Sequence, residues 1–293
     1  MEYLMTYGWA ILIIAVVLAV LFQLGVFSGG NFLPHAQPGS CQVSRTAAGV
    51  SLEGQCNGML PEFVAQFNGQ GNEYVLVPYS TTLAATGSWS VAFWFSSVLP
   101  STNAFDVELI SSRVPTDGTL DIQLVGGASP KLHGDIGVGG GTNGWLTSGA
   151  NYAFAFGSNT WYHVIYTISP TGYTIYVNGA NAASGSWSAN TPSLLDSSNP
   201  LCIGGNGGSC ESAASVMYNG QISDVQVYNT TLSASEVQAL YLEGIGGAPI
   251  RPQNIVGWWP LNGNANDYSG NGNNGQLNGV TFSSSWESSY AAP

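Results

Sequence analysis

Basic side chains are nearly missing from this chain. Lys and Arg number four in 293 residues against sixteen Asp and Glu, for a formal net charge of −12. The four, Arg45, Arg113, Lys131 and Arg251, are scattered and form no patch. Without a basic cluster nothing neutralises phosphates, which excludes nucleic acid and an anionic membrane surface as partners. Charge of either sign is scarce, at 7% of residues, so solubility falls to Ser, Thr, Asn and Gly. A surface with few carboxylates to protonate changes its charge little with pH, which fits an acidic or otherwise harsh extracellular habitat. Signatures of catalysis are also missing. There is no ExDxxE-type row of carboxylates, as a retaining glycosidase needs, no GxSxG elbow and no phosphate loop. Asp106-Val107-Glu108 and the stretch from Asp117 to Asp121 come nearest and do not match; Asp106 and Glu108 read as a solvated strand face. The chain is therefore expected to be no enzyme. The three His, at 35, 133 and 163, stand apart, and with four Cys they make no zinc spacing.

What the chain does have, first, is one long apolar run. Glu2 is followed by YLMTYGWAILIIAVVLAVLFQLGVF, with no charge up to Phe27. At about 1.5 Å per residue, a helix over Tyr3–Phe27 reaches roughly 37 Å, against about 30 Å for a hydrocarbon core. The run is apolar on every face, so it avoids water in lipid or in a helix bundle. A cleavable signal fits poorly, because the start is not basic and the apolar stretch is too long. A plain membrane anchor is one remaining reading. The other is a resemblance: EYLMTYGWAILIIAVVLAV resembles the N-terminal helix of archaeal type IV pilin-like proteins, which carry class III signal peptides. In that family a basic leader is removed and the mature chain keeps a Glu near its start, which Glu2 matches. The leader has no counterpart here, so either the reading frame starts upstream or this chain is not processed that way. The resemblance implies assembly into a filament through Glu2, Tyr3, Tyr7 and Trp9, after passage through the membrane. A buried carboxylate in such a core needs a partner, which a neighbouring subunit's α-amino group supplies.

From 28 to 40, SGGNFLPHAQPGS reads as a linker. Beyond it, residues 41–293 alternate turn-forming Gly and Asn with Val, Ile, Tyr, Phe and Trp, an all-β pattern. Candidate strands are Phe63–Phe67, Tyr74–Pro78, Ser90–Ser96, Phe105–Ser111, Thr119–Val125, Lys131–Val138, Tyr152–Phe156, Trp161–Ile168, Tyr173–Asn178, Leu201–Gly204 and Gln221–Tyr228. WYHVIYTI and YTIYVNG form a hairpin around a four-residue loop, Ser169 to Gly172. Ser233 and Glu236 make a capping box for a helix over Ala234–Glu243, ending near Gly244. Cys41 with Cys56 and Cys202 with Cys210 form two near pairs; of three possible connectivities, local pairing suits an exported domain. Asn229-Thr230-Thr231 is a glycosylation sequon.

Several of these stretches, in order, carry a second resemblance. FNGQGNEYVLVP, SWSVAFWF, WYHVIYTISPTGYTIYVNG, PLCIGG and YNGQISDVQVYNTTLSASEVQALY resemble successive motifs of LamG-like domains, which are concanavalin A-like, jelly-roll β-sandwiches. The resemblance spans about 61–241 and implies an extracellular domain that binds glycans or proteins, often with a structural calcium ion. One element is out of order. VGWWPLNGNANDYSGNGNNGQLNGVTF, residues 256–282, resembles the segment that opens such a domain, yet here it comes last. The sandwich is thus circularly permuted, with segment 255–287 supplying the family's first strand. Otherwise that strand enters a neighbouring subunit, or it is the stub of a truncated second domain with Trp258 and Trp259 poorly buried. Permutation is preferred because an unpaired sandwich edge is a liability.

Residues 264–275 are dense in oxygen donors of the kind that hard cations take. The LamG resemblance makes Asp224 and Asp267 candidate calcium ligands, with Asn271 and Asn273 behind them; the alternative is an Asn-Gly turn capping its own backbone. Trp145, Tyr152 and Trp187, in or near Gly/Ser-rich stretches, are candidates for stacking on sugars. His163 reads as a structural residue. Together these readings describe a filament subunit with an outward lectin-like sandwich that serves adhesion. The alternative is a membrane-anchored glycan-binding protein that never polymerises.

Overall fold

A computed structural model describes residues 2–23, 35–69, 73–98, 106–113, 118–126, 131–139, 144–148, 151–153, 156–196, 199–206, 208, 210 and 218–293. The chain divides into two units, 1–35 and 36–293. The first contains α1, Glu2–Gln23. Trp9, Ile11, Ile13, Ile14 and Phe22 are exposed on it, as an all-round apolar surface requires. Among the described residues no helix is long and apolar enough to cross a membrane. The side chains of Glu2, Tyr3 and Tyr7, the end of the expected helix at 24–27 and the linker over 28–34 lie outside the described residues.

The second unit is a two-sheet sandwich. Its strands are β1 (Cys41–Thr46), β2 (Gly49–Gly54), β3 (Val64–Asn68), β4 (Tyr74–Val77), β5 (Trp89–Ser97), β6 (Asp106–Ser111), β7 (Leu120–Val125), β8 (Lys131–Gly137), β9 (Trp145–Ser148), β10 (Tyr152–Ala153), β11 (Trp161–Ser169), β12 (Gly172–Val177), β13 (Ala180–Ser186), β14 (Leu201–Ile203) and β15 (Asn219–Tyr228). After α2 (Ala234–Glu243) follow β16 (Ile255–Trp259), β17 (Gln276–Asn278) and β18 (Thr281–Ser283). One antiparallel sheet runs β13-β12-β11-β5-β15-β3-β18, with β16 also on β15; the other runs β9-β8-β7-β6-β14-β4-β17, with β10 also on β8. Thus the C-terminal segment pairs with its own chain in both sheets, β17 on β4 and β18 on β3.

The core between the sheets takes alternate residues: Trp89, Val91, Phe93 and Phe95 from β5 meet Leu120, Ile122 and Leu124 from β7 in one cluster. The first sheet is covered on its outer face as well. Ala92, Ile165 and Tyr228 pack there against Val237 and Leu240 of α2, and Trp94 packs in a further cluster with Trp161 and Trp286. Burial on both faces explains why β5 reads as a continuous apolar run rather than an alternating one. Helix α2 begins at the expected box: Glu236 N–H donates to Ser233 Oγ, and Ser233 N–H to Glu236 Oε2 at 2.8 Å. It stops at Gly244, whose φ of 78° is a left-handed value that glycine takes without strain.

Both disulfides are local, Cys41–Cys56 and Cys202–Cys210. The hairpin between β11 and β12 is tighter than expected. Ser169 pairs with Gly172, so the loop is Pro170-Thr171 alone rather than four residues. The β1–β2 hairpin and strands β9 and β13 have no counterpart among the expected strands; β13, ANAASGS, lacks the β-branched and aromatic residues that mark a strand. The strand expected over Tyr152–Phe156 is described only at Tyr152–Ala153.

Candidate functional site

The outer face of the second sheet carries the chain's main concentration of partnered charge. In β7, Leu120, Ile122 and Leu124 turn to the core, which sends Asp121 and Gln123 outward. Strand register then aligns them with neighbours. Ser111 lies opposite Asp121 and Asp121 opposite Asp135; Glu108 lies opposite Gln123 and Gln123 opposite His133. Two polar rows thus cross β6, β7 and β8. They are not solvated. Asp121 is fully buried, and Glu108, Gln123 and Asp135 nearly so, which corrects the reading of Glu108 as part of a solvated face.

Buried polar groups need partners, and these have several. Arg113 Nη1 donates to Asp121 Oδ2 at 3.0 Å, and Gln123 Nε2 donates to the same oxygen at 2.6 Å. His133 Nε2 lies 3.0 Å from Asp135 Oδ1, while Nδ1 meets Asn151 Oδ1. Asn206 Nδ2 donates to Glu108 Oε1 at 2.9 Å. Asp121 Oδ1, also buried, has no hydrogen-bond partner among the described residues. Burial pushes the Asp121 carboxyl up despite the opposing pull of Arg113. For Arg113 burial works downward, but the hydrogen bond and charge of Asp121, with Asp135 and Glu108 adding, raise it overall. The hydrogen bond and charge of Asp135 raise His133 against its burial.

Above this floor, Arg113 stands over the Trp145 indole with its guanidinium carbon 5.8 Å from the ring centroid. Gly118 lies against the same ring, where a Cβ would come within 2.9 Å. Trp145 is half-buried and sits on β9, not in a loop. Arg113, Trp145, His133, Asn151 and Asn206 form a partly exposed rim around buried acceptors. Such a rim can exchange hydrogen bonds with hydroxyls and offer an aromatic surface together.

The other expected sugar contacts lie elsewhere. Tyr152 sits on β10 and packs against the core; Trp187, just past β13 in the first sheet, stacks on Tyr173 at 5.9 Å and donates its indole N–H to Pro170 O. Sequence reasoning missed Arg113, Gln123, Asp135 and Asn206. The alternation Asp121-Ile122-Gln123-Leu124 was the available signal, but it does not say which strands lie side by side.

The expected calcium ligands are engaged with the protein. Asp267 accepts backbone N–H bonds from Trp258, Ser269 and Asn273 at 2.8–2.9 Å and the Ser269 hydroxyl at 2.8 Å. The Asn271 and Asn273 side-chain amides donate to Val256 O. Among the described residues no three of His, Cys, Asp and Glu gather around one point. Asp224 sits apart from that turn's backbone donors, in a bulge of β15 with φ of 50°. It accepts from Gln226 Nε2 at 3.0 and 2.9 Å and from the Trp258 indole at 2.8 Å. Burial pushes its carboxyl up to about 7, against the pull of those two donors. His163 is buried beside Trp94 and Tyr241, at 4.8 and 5.9 Å, and burial lowers it to about 3. Asn229 of the sequon is exposed.

Comparison with known proteins fits this architecture. The laminin G type 3 family, described as the concanavalin A-like lectin/glucanases superfamily, matches residues 68–238, more than half of the chain. Among solved structures, a putative carbohydrate binding protein from Bacteroides ovatus superposes with a TM-score of 0.52 at 16% identity. That match covers 82% of this chain and 65% of the other. A heptameric SAP-like pentraxin from Limulus polyphemus gives 0.47 at 16% identity, covering 75% and 94%. No curated protein sequence matches.

Proposed function

Because the chain belongs to the concanavalin A-like lectin/glucanases superfamily, we propose that it is a surface-displayed glycan-binding protein. Its site is the outer face of the second sheet. The observation behind this reading is the half-buried Trp145, held by Arg113, beside the registered polar rows of Asp121, Gln123, Glu108 and Asp135. Sugar hydroxyls exchange hydrogen bonds with the partly exposed Arg113, His133, Asn151 and Asn206, which the buried carboxylates hold in place, and the sugar ring lies against Trp145. On a glycan array the full chain in detergent is expected to bind, and W145A or R113A to weaken the best ligand by roughly tenfold or more, as loss of an aromatic or Arg anchor does. W187A, in the other sheet, leaves binding intact. Silence across the array, or loss in W187A with W145A unaffected, overturns the site.

We further propose that α1 assembles this domain into a surface filament. The exposed apolar side chains of α1, from Trp9 to Phe22, favour this reading, since a helix apolar on all sides needs cover from other helices or lipid. On this account the helix passes through the membrane before packing with its copies. Electron microscopy of the cell surface, with mass spectrometry of the isolated filaments, is expected to find this chain as a subunit. Filaments that persist after deletion of Tyr3–Phe27 remove the proposal and leave the anchored, non-polymerising form.

A further inference from the structure

Asp224 is in an expensive position. Strand β15 pairs with β3 through Asn219–Ile222 and with β16 through Val225–Tyr228, and the bulge falls where the partner changes. There Asp224 takes a left-handed φ of 50°, which disfavours most residues. Its side chain is buried, and among the described residues no Lys, Arg or His pairs with it. Buried carboxylates are ordinarily paired with a cation or a metal. This one has only neutral donors, Gln226 and Trp258, with Tyr228 Oη behind donating to Gln226 Oε1. A buried carboxylate with no cation beside it among the described residues points to a function beyond packing.

The carboxylate also lines a pocket, together with Trp258, Tyr268, Asn262, Ile245 and Pro61. Its volume of about 40 Å³ exceeds the roughly 10–15 Å³ that one water needs. That is room for a small head group and too little for a sugar ring. The carboxylate repels anions. A calcium ion needs six to eight oxygens, several of them charged, and among the described residues Asp224 is the one carboxylate lining this pocket. An ammonium group needs less: one acceptor with its charge, and aromatic rings for the rest of its shell. Trp258 and Tyr268 line the same pocket, their rings edge-to-face with each other at 6.3 Å.

We propose that this pocket binds the head group of a small protonated primary amine, with Asp224 as counter-ion and Trp258 and Tyr268 as its aromatic walls. The site is separate from the glycan face and stands or falls without it. The test is NMR of the full chain in detergent at pH 8, with 15N-labelled indoles and the Trp258 resonance assigned by W258F. Methylammonium chloride is expected to shift the Trp258 indole N–H saturably, while methanol and potassium chloride do not. In D224N, where Asn tolerates the left-handed backbone, affinity is expected to fall roughly ten- to a hundredfold, the effect of removing one member of a buried charge pair. An equal response in D224N, or a wild-type response that methanol or potassium chloride reproduces or that never saturates, overturns the proposal. The wild-type titrations decide even if D224N misfolds, and R113A, which tests the glycan face, leaves the methylammonium response unchanged.

Discussion

Deleting residues 255–293 is expected to abolish folding of the sandwich. The segment contributes three strands, β16 on β15, β17 on β4 and β18 on β3, so its loss strips partners from both sheets at once. It also removes Trp258 and Trp259, 3% and 0% exposed, whose indoles donate to Asp224 and to Asn273 O at 2.8 Å each. Truncating one buried Trp to Ala costs about 3–5 kcal/mol, and a whole domain is stable by only about 5–15 kcal/mol. Two such losses, with unpaired strand edges added, exceed what a domain of this kind has in reserve. Circular dichroism and denaturant titration of the truncated chain are expected to show no cooperative transition. Supplying fragment 255–293 in trans is expected to restore one. A truncated chain that unfolds cooperatively at the full-length midpoint would show that the segment is dispensable and that its pairing does not hold the sheets together.

The second large effect is a pair of opposed pH dependences. Burial raises Asp224 to about 7, while an unfolded Asp titrates near ~3.9. Its contribution to stability is therefore complete below about pH 4 and is lost as pH rises through about 7, a swing of about 4 kcal/mol. His163 runs the other way. Burial lowers it to about 3, against ~6.5 when unfolded. Its contribution is present above about pH 6.5 and is lost as pH falls, by about 3 kcal/mol at pH 4. Between pH 4 and 6.5 the two slopes oppose each other, so the wild-type denaturation profile is expected to run between those of variants that lose one or the other. Asp121, also raised by burial, adds to the Asp224 side. D224N removes that slope, so its midpoint drops steeply as pH falls from 7 to 4. H163F keeps a ring beside Trp94 and Tyr241 without its titration, so its midpoint rises over the same interval. Parallel profiles for the wild type and both variants would refute the assignment.

The sequence by itself determined what local physics determines. Period-two alternation marks β7 and the end of β15; Ser233 and Glu236 mark the start of α2; the short spacings mark both disulfides; and the uncharged run after Glu2 marks α1 as a helix. Each of these signals lies within a few residues of the structure it specifies. Only the tertiary structure decided which polar residues meet. Asp121, Asp135 and Glu108 look like separate surface carboxylates until strand register sets them side by side and burial makes their partners compulsory. Asp224 looks like one more polar residue in an alternating strand until the change of partner from β3 to β16 forces a bulge and turns it against Trp258. Cross-strand register sums over the whole sheet, so no short stretch of chain contains it.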